Sequence, residues 1–145
     1  MSTQTATKPS LTIKRRLNAP PAKVYAAWTD PQMIARWFGP AGVESVEAKT
    51  DLRVGGRYHI TMHVPGDRHV VMGVYREVAP NQKLVFTWAW KSTPERESLV
   101  TVTFKPDGAG TLLTLLHEQF FDADARDRHQ QGWAGAIDKL EKLFA

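Results

Sequence analysis

The sequence predicts an α+β fold in which a curved antiparallel sheet of six to seven strands wraps around one long C-terminal helix, with two short helices after the first strand. Three observations carry this prediction. Residues 18–40 show two short helical patterns, residues 43–117 show consecutive strands, and the C-terminal residues carry a helical apolar stripe. Because short turns join the predicted strands, the sheet should be antiparallel.

The first elements along the chain are one strand and two short helices. Apolar and polar residues alternate at the start of Leu11–Leu17, which predicts the first strand. Pro20 and Pro21 suit the first turn of a helix, because an N–H group there would have no intrahelical acceptor. Asp30 is a natural N-cap and Pro31 a natural first helical residue, so one helix should end here and the next should begin.

The clearest strand signal lies between Arg57 and Val64, where Tyr58, Ile60 and Met62 alternate with polar residues. This alternation is typical of a strand with one buried face. A weaker strand is predicted over 43–50, and a turn at 65–67 leads into a strand over 69–78. Two sets compete for the inner face of that last strand: Val70, Met72 and Val74, or Val71, Gly73 and Tyr75.

Three further strands and a long helix complete the chain. The strands are predicted over 84–90, 100–104 and 112–117. Asp122 should cap the helix. The apolar residues of the helix follow i, i+3, i+4, i+7 spacing and are Trp133, Ala136, Ile137, Leu140 and Phe144. Such a stripe must be buried against the sheet.

The composition excludes several classes of protein. A length of 145 residues suits one domain, and the absence of cysteine excludes disulfides, zinc–thiolate centres, iron–sulfur clusters and thiol nucleophiles. No apolar run approaches the ~18 residues of a membrane span. The net charge of +4 is modest, and the basic cluster at 14–16 is too short to indicate nucleic acid. We therefore expect a cytoplasmic protein that binds neither membrane nor nucleic acid, with a flexible tail at 1–9 and one domain at 10–145.

The histidines and glycines form no cofactor motif. His59 and His63 are four residues apart on a strand, or about 13 Å by strand rise, so they cannot share a metal ion. Gly55 and Gly56 are expected in a turn, because neither a phosphate-binding loop nor a dinucleotide motif surrounds them. A serine nucleophile elbow is also missing. The sequence therefore predicts no metal, no cofactor and no catalytic residue.

Several motifs, spaced in order along the chain, resemble one known family. They are Arg16-Leu17-Asn18-Ala19-Pro20, Thr29-Asp30-Pro31, Arg36-Trp37-Phe38-Gly39-Pro40, Gly55-Gly56-Arg57-Tyr58, Leu84-Val85-Phe86-Thr87-Trp88, Gly110-Thr111 with Leu113, Leu115 and His117, and Gly132-Trp133 with Leu140. The chain resembles the START-like (Bet v 1-like, SRPBCC) superfamily over about residues 10–145. Within it, the chain is similar to the activator of Hsp90 ATPase homologue 1-like (AHSA1) family. The resemblance implies a helix-grip fold with a cavity able to hold a ligand.

Aromatic side chains are numerous on the predicted inner face, where a small-molecule cavity could lie between sheet and helix. We expect Trp37-Phe38-Gly39-Pro40 at the mouth of this cavity. Gly132 and Gly135 each cost a helix about 1 kcal/mol relative to alanine, which indicates close packing or room for a ligand. The side chains predicted to line the cavity are Trp28, Trp37, Phe38, Tyr58, Met62, Phe86, Trp88, Trp90, Val102, Leu115, His117, Trp133 and Ile137.

His117 shares one face of the last strand with Leu113 and Leu115, so it should point to the interior. It could hydrogen-bond a ligand carbonyl or act as a general base. Alternatively, it is a neutral, hydrogen-bonded residue that ties the last strand to the C-terminal helix. The absence of evident catalytic partners favours the second interpretation.

The sequence therefore predicts a non-enzymatic protein that binds a small apolar or aromatic ligand in an internal cavity, as a monomer or a homodimer. Two alternatives stay open. One is a co-chaperone-like or stress-response protein that contacts an Hsp90-type chaperone through its surface. The other is a cyclase-like or hydrolase-like enzyme that uses His117 in the same cavity.

Overall fold

The computed structural model describes residues 8–145, which contain seven strands and three helices. In chain order these are β1 (Leu11–Leu17), α1 (Pro21–Thr29), α2 (Pro31–Trp37), β2 (Ser45–Thr50), β3 (Arg57–Val64), β4 (Asp67–Ala79), β5 (Lys83–Trp90), β6 (Ser98–Asp107), β7 (Gly110–Glu118) and α3 (Ala123–Leu143). The predicted α+β fold is confirmed. The tail predicted at 1–9 lies, as far as residue 7, outside the described residues.

All seven strands form one antiparallel sheet in the order β1-β7-β6-β5-β4-β3-β2. From β2 to β7 each strand pairs with the next one along the chain. β1 is the exception, because it pairs with the last strand, with Leu11 opposite His117. The two short helices carry the chain from β1 at one edge of the sheet to β2 at the other.

The boundaries of the short helices follow the proline and aspartate signals. Pro21 and Pro31 are the first residues of α1 and α2, and the Asp30 side chain caps α2. The indole Nε1 of Trp37 donates to the carbonyl of Ala27 at 2.8 Å and fixes α2 against α1. α2 also contacts β2 and α3, so it connects the edge of the sheet to the long helix.

The inner face of β4 is formed by Val71, Gly73 and Tyr75, and Val71 and Tyr75 are buried. The alternate residues 70, 72 and 74 are half-buried on the opposite face. Both faces of this strand are therefore apolar, which is why alternation alone left the choice open. A β-bulge between Tyr75 and Glu77 shifts the register against β5 beyond this point.

α3 packs its apolar stripe against the sheet, and the core lies between them. Asp122 caps the helix, as predicted, by accepting from the backbone N–H of Ala125 at 2.8 Å. The buried residues of the stripe are Trp133, Ala136, Ile137 and Leu140. On the outside, Arg15 of β1 donates to Asp138 at 2.9 Å. In residues 8–145 no helix is long and apolar enough to cross a membrane.

Candidate functional site

A cleft of about 1130 Å³, partly open to solvent, lies between the N-terminal half of α3 and the adjoining ends of β3, β4 and β5. Small-molecule sites usually enclose roughly 300–1,000 Å³, so this cleft has ample room for a ligand. Its floor is apolar and mainly aromatic, and consists of Phe38, Met62, Trp88, Trp90, Phe120 and Trp133.

Three rings of this floor belong to a group of five that we call the aromatic cluster, which Trp28 and Trp37 complete behind the floor: Trp28, Trp37, Phe38, Trp88 and Trp133. Ring centroids are 4.7 Å apart for Trp28 and Trp37, and 5.1 Å apart for Trp88 and Trp133. These separations are within the range of favourable aromatic pairs. All five side chains are buried. The cluster fills the space between the helices and the sheet. A second cavity, lined from α1, α2, β3, β4 and β5, measures only about 20 Å³.

His117 is fully buried, and both of its ring nitrogens have protein partners. The indole Nε1 of Trp133 donates to Nδ1 at 3.0 Å, which assigns the proton of the neutral ring to Nε2. Nε2 then donates to the Ser98 hydroxyl at 2.7 Å, and that hydroxyl donates to the carbonyl of Trp88 at 3.3 Å. Burial lowers the pKa of His117 well below its usual range, and the neighbouring His129 lowers it further. His117 thus joins β7, β6 and α3 as a neutral residue.

His129 joins α3 to β5 in a similar way. Its Nδ1 donates to the backbone carbonyl of Ala125 at 2.7 Å, so its Nε2 is the acceptor. This nitrogen accepts from the indole Nε1 of Trp90 at 2.9 Å and from that of Trp88 at 3.3 Å. Burial lowers the pKa of His129. The orientations of two rings in the cleft floor are therefore set by a neutral histidine of the protein itself.

The loop over residues 38–41 forms one wall of the cleft, beside α3. The Lys139 ammonium group donates to the carbonyls of Phe38 and Pro40, both at 3.3 Å, and so attaches this loop to the helix. Burial lowers the pKa of Lys139. The segment expected at the mouth of a cavity thus contributes residues to the cleft wall.

Gly132 and Gly135 both line the cleft from α3, but their surroundings differ. A Cβ atom at Gly135 would lie 3.0 Å from the backbone nitrogen of Ala41, which reflects close packing of the helix on the loop. A Cβ atom at Gly132 would meet no heavy atom within 4 Å. Close packing therefore explains the glycine at 135, whereas the position of a side chain at Gly132 is open space.

The structure divides the thirteen predicted cavity residues into three groups. Five line the cleft: Phe38, Met62, Trp88, Trp90 and Trp133. Four line only the small inner cavity: Trp28, Trp37, Tyr58 and Phe86. The other four lie in the packed core, outside the linings of both cavities: Val102, Leu115, His117 and Ile137.

Sequence reasoning missed several residues of the cleft. His129 had one usable signal, because it precedes Trp133 by four residues on the same helix. Arg96 is exposed and also lines the cleft, where its guanidinium lies 3.9 Å from the ring centroid of Phe121. Within residues 8–145, no three His, Asp or Glu side chains are close enough together to hold a metal ion.

Comparisons with known proteins agree with this architecture. A family model described as activator of Hsp90 ATPase homolog 1-like protein matches residues 18–145. Protein CV1439 from Chromobacterium violaceum is 28% identical, with 93% of this chain and 96% of that chain covered and a TM-score of 0.82. The AHSA1 protein from Silicibacter pomeroyi is 27% identical, with 93% and 96% covered and a TM-score of 0.79.

CalU16 from Micromonospora echinospora is 30% identical, with 94% of this chain and 76% of that chain covered and a TM-score of 0.72. A search of curated proteins found no match. The family resemblance read from the sequence motifs is confirmed by the family model and by these structures. The chain belongs to the family of activator of Hsp90 ATPase homolog 1-like proteins and has their START-like fold.

Proposed function

We propose that this protein binds a small apolar or aromatic molecule in the cleft between α3 and the ends of β3, β4 and β5. The open space beside Gly132 supports this most directly, because no atom of the protein fills it although the cleft floor beneath is aromatic. A ligand that buries roughly 200 Å² of apolar surface there would gain about 5 kcal/mol before the costs of association.

The cleft floor is already ordered for such a ligand. The indole N–H groups of Trp88 and Trp90 are bonded to His129, and that of Trp133 is bonded to His117. Ligand binding would therefore not have to order these side chains, which lowers its entropic cost. With their N–H groups occupied, the rings offer an apolar surface, so recognition would depend on the shape and apolar area of the ligand.

The position of His117 favours binding over catalysis. A general base must come within about 3 Å of the proton that it removes, directly or through one water. His117 does not line the cleft, and Trp133 and Ser98 occupy its two nitrogens. Its role in our proposal is to hold Trp133 in the floor of the cleft.

The proposal can be tested with N-phenyl-1-naphthylamine, a neutral apolar probe whose fluorescence rises in an apolar site. The wild-type protein should enhance this fluorescence saturably. In Gly132→Phe the new ring would occupy the open space, so enhancement should be lost. Gly132→Ala is the matched control, because a single Cβ leaves most of the cleft free, and it should bind like the wild type.

Thermal unfolding of each variant would show whether the loss of probe binding comes from the filled cleft or from unfolding. Gly132→Phe should remain as stable as the wild type. Two results would overturn the proposal. One is the absence of enhancement by the wild-type protein. The other is equal enhancement by a folded Gly132→Phe variant.

A further inference from the structure

We infer that the ligand of the cleft is an organic anion, with an aromatic or other apolar body and a carboxylate. This inference rests on the proposed function, because it names the ligand class of the same cleft. The charged residues of the lining carry it. The basic ones are Arg68, Lys91, Arg96 and Arg128, and Asp67 is the acidic one. The lining thus holds a formal excess of three positive charges, although the whole chain carries only +4.

Most of these cations are free to meet a ligand. Among the described residues, three of them have no carboxylate within 4.0 Å: Arg68, Lys91 and Arg96. Arg128 pairs with Asp124 at 3.4 Å, but both side chains are largely exposed, and such a pair contributes little free energy. The stacking of Arg96 on Phe121 leaves the edge of its guanidinium able to donate hydrogen bonds.

The four cations come from three separate parts of the fold that meet at the cleft. Arg68 is the second residue of β4, Lys91 and Arg96 follow β5, and Arg128 belongs to α3. A cleft with mainly positive charges and an apolar floor concentrates the electric field, because the floor has a low dielectric constant. An anion would therefore be attracted to this cleft from several sides.

The arrangement suits a ligand with two different ends. Its apolar body would lie on the rings of Trp88, Trp90 and Trp133, while its carboxylate would stay near the exposed cations and keep part of its hydration. Aromatic faces also attract cations. A cationic ligand would, however, be repelled by the four basic residues, so the charge of the lining selects the anion.

Three naphthalene compounds of almost equal size test the sign of the ligand's charge: 2-naphthoate, neutral 2-naphthamide and 2-naphthylmethylammonium. Their affinities would be measured by isothermal titration calorimetry at about 20 mM and about 0.5 M NaCl, which brackets weak and strong screening. At low salt, 2-naphthoate should bind roughly five- to tenfold more tightly than 2-naphthamide, and the ammonium compound most weakly. At high salt the preference should fall to less than about twofold.

Two triple variants that remove equal charge would show whether the cations of the cleft cause the preference for 2-naphthoate over 2-naphthamide. The first variant, Arg68→Gln/Lys91→Gln/Arg96→Gln, should lose this preference and still bind 2-naphthamide. Arg53→Gln/Arg57→Gln/Lys105→Gln removes the same charges from exposed positions outside the cleft, and it should keep the preference.

Equal affinity of the wild type for 2-naphthoate and 2-naphthamide at low salt would overturn the inference and leave the proposed function standing. Equal loss of the preference in both triple variants would also overturn it. If none of the three compounds binds, the proposed function fails as well.

Discussion

The indole Nε1 of Trp133 donates a hydrogen bond of 3.0 Å to Nδ1 of His117. Trp133 belongs to α3 and His117 to β7, and both side chains are buried. This contact ties the long helix to the sheet. It also fixes the tautomer of the histidine, because an indole N–H can only donate.

Trp133→Phe should destabilise the protein by about 2–3 kcal/mol, because the variant leaves Nδ1 of His117 buried without a donor and shrinks a packed ring. Urea unfolding would measure the change. Trp90→Phe is the comparison, since Trp90 is only half-buried and Trp88 also donates to His129. It should cost less than about 1 kcal/mol. Equal losses in the two variants would contradict the role assigned to the bond.

The stability of the protein should fall as the pH is lowered from about 7.5 to about 5.5. His117 titrates near its usual pKa of 6.5 in the unfolded chain, whereas burial lowers its pKa in the folded protein. Below the unfolded pKa the unfolded chain therefore binds more protons, and the free energy of unfolding decreases by at most about 1.4 kcal/mol per pH unit for this group. Burial lowers the pKa of His129 too, so its contribution has the same sign.

The stabilisation from these neutral histidines is fully present above the unfolded pKa and is lost toward the lower folded pKa values. Urea midpoints across this pH range would show the slope. His59→Gln should keep it, since His59 is exposed on β3. A free energy of unfolding that stays constant or rises on acidification would show that the two histidines are not held neutral.

Gly132→Ala and Gly135→Ala should have different effects on stability, although both replace glycine in one helix. Alanine gains up to about 1 kcal/mol over glycine inside a helix. At Gly132 the new Cβ meets no atom, so the full gain should appear. At Gly135 the Cβ would press on the backbone of Ala41, so the gain should shrink or change sign. Thermal unfolding would compare them, and an equal or larger gain for Gly135→Ala would be evidence against the close packing.

Local sequence signals were sufficient for the main elements of the fold. Asp30, Pro31 and Asp122 mark helix starts through capping and a missing N–H, and both effects act within a few residues. The alternation of Tyr58 to Met62 and the stripe from Trp133 to Leu140 reflect burial on one side. Such signals do not depend on distant parts of the chain, so they could be read directly.

The division between cleft and core could not be read in this way. Periodicity shows that a side chain points inward, but not whether another side chain fills the space it faces. Phe86 and Trp88 lie on the same face of β5, yet only Trp88 reaches the cleft. The hydrogen-bond partners of His117 could likewise not be predicted from neighbouring residues, since Trp133 and Ser98 lie 16 and 19 residues away in sequence.

Ligand binding in the cleft is tested most directly by ¹H–¹⁵N spectra of the five tryptophan indole N–H groups during titration with 2-naphthoate. We predict saturable shifts for Trp88, Trp90 and Trp133, which line the cleft, and a much smaller shift for Trp37, whose Nε1 is bonded to Ala27 behind the floor. Gly132→Phe should abolish the shifts. Unchanged spectra at high ligand concentration, or equal shifts of all five groups that persist in Gly132→Phe, would contradict binding in this cleft.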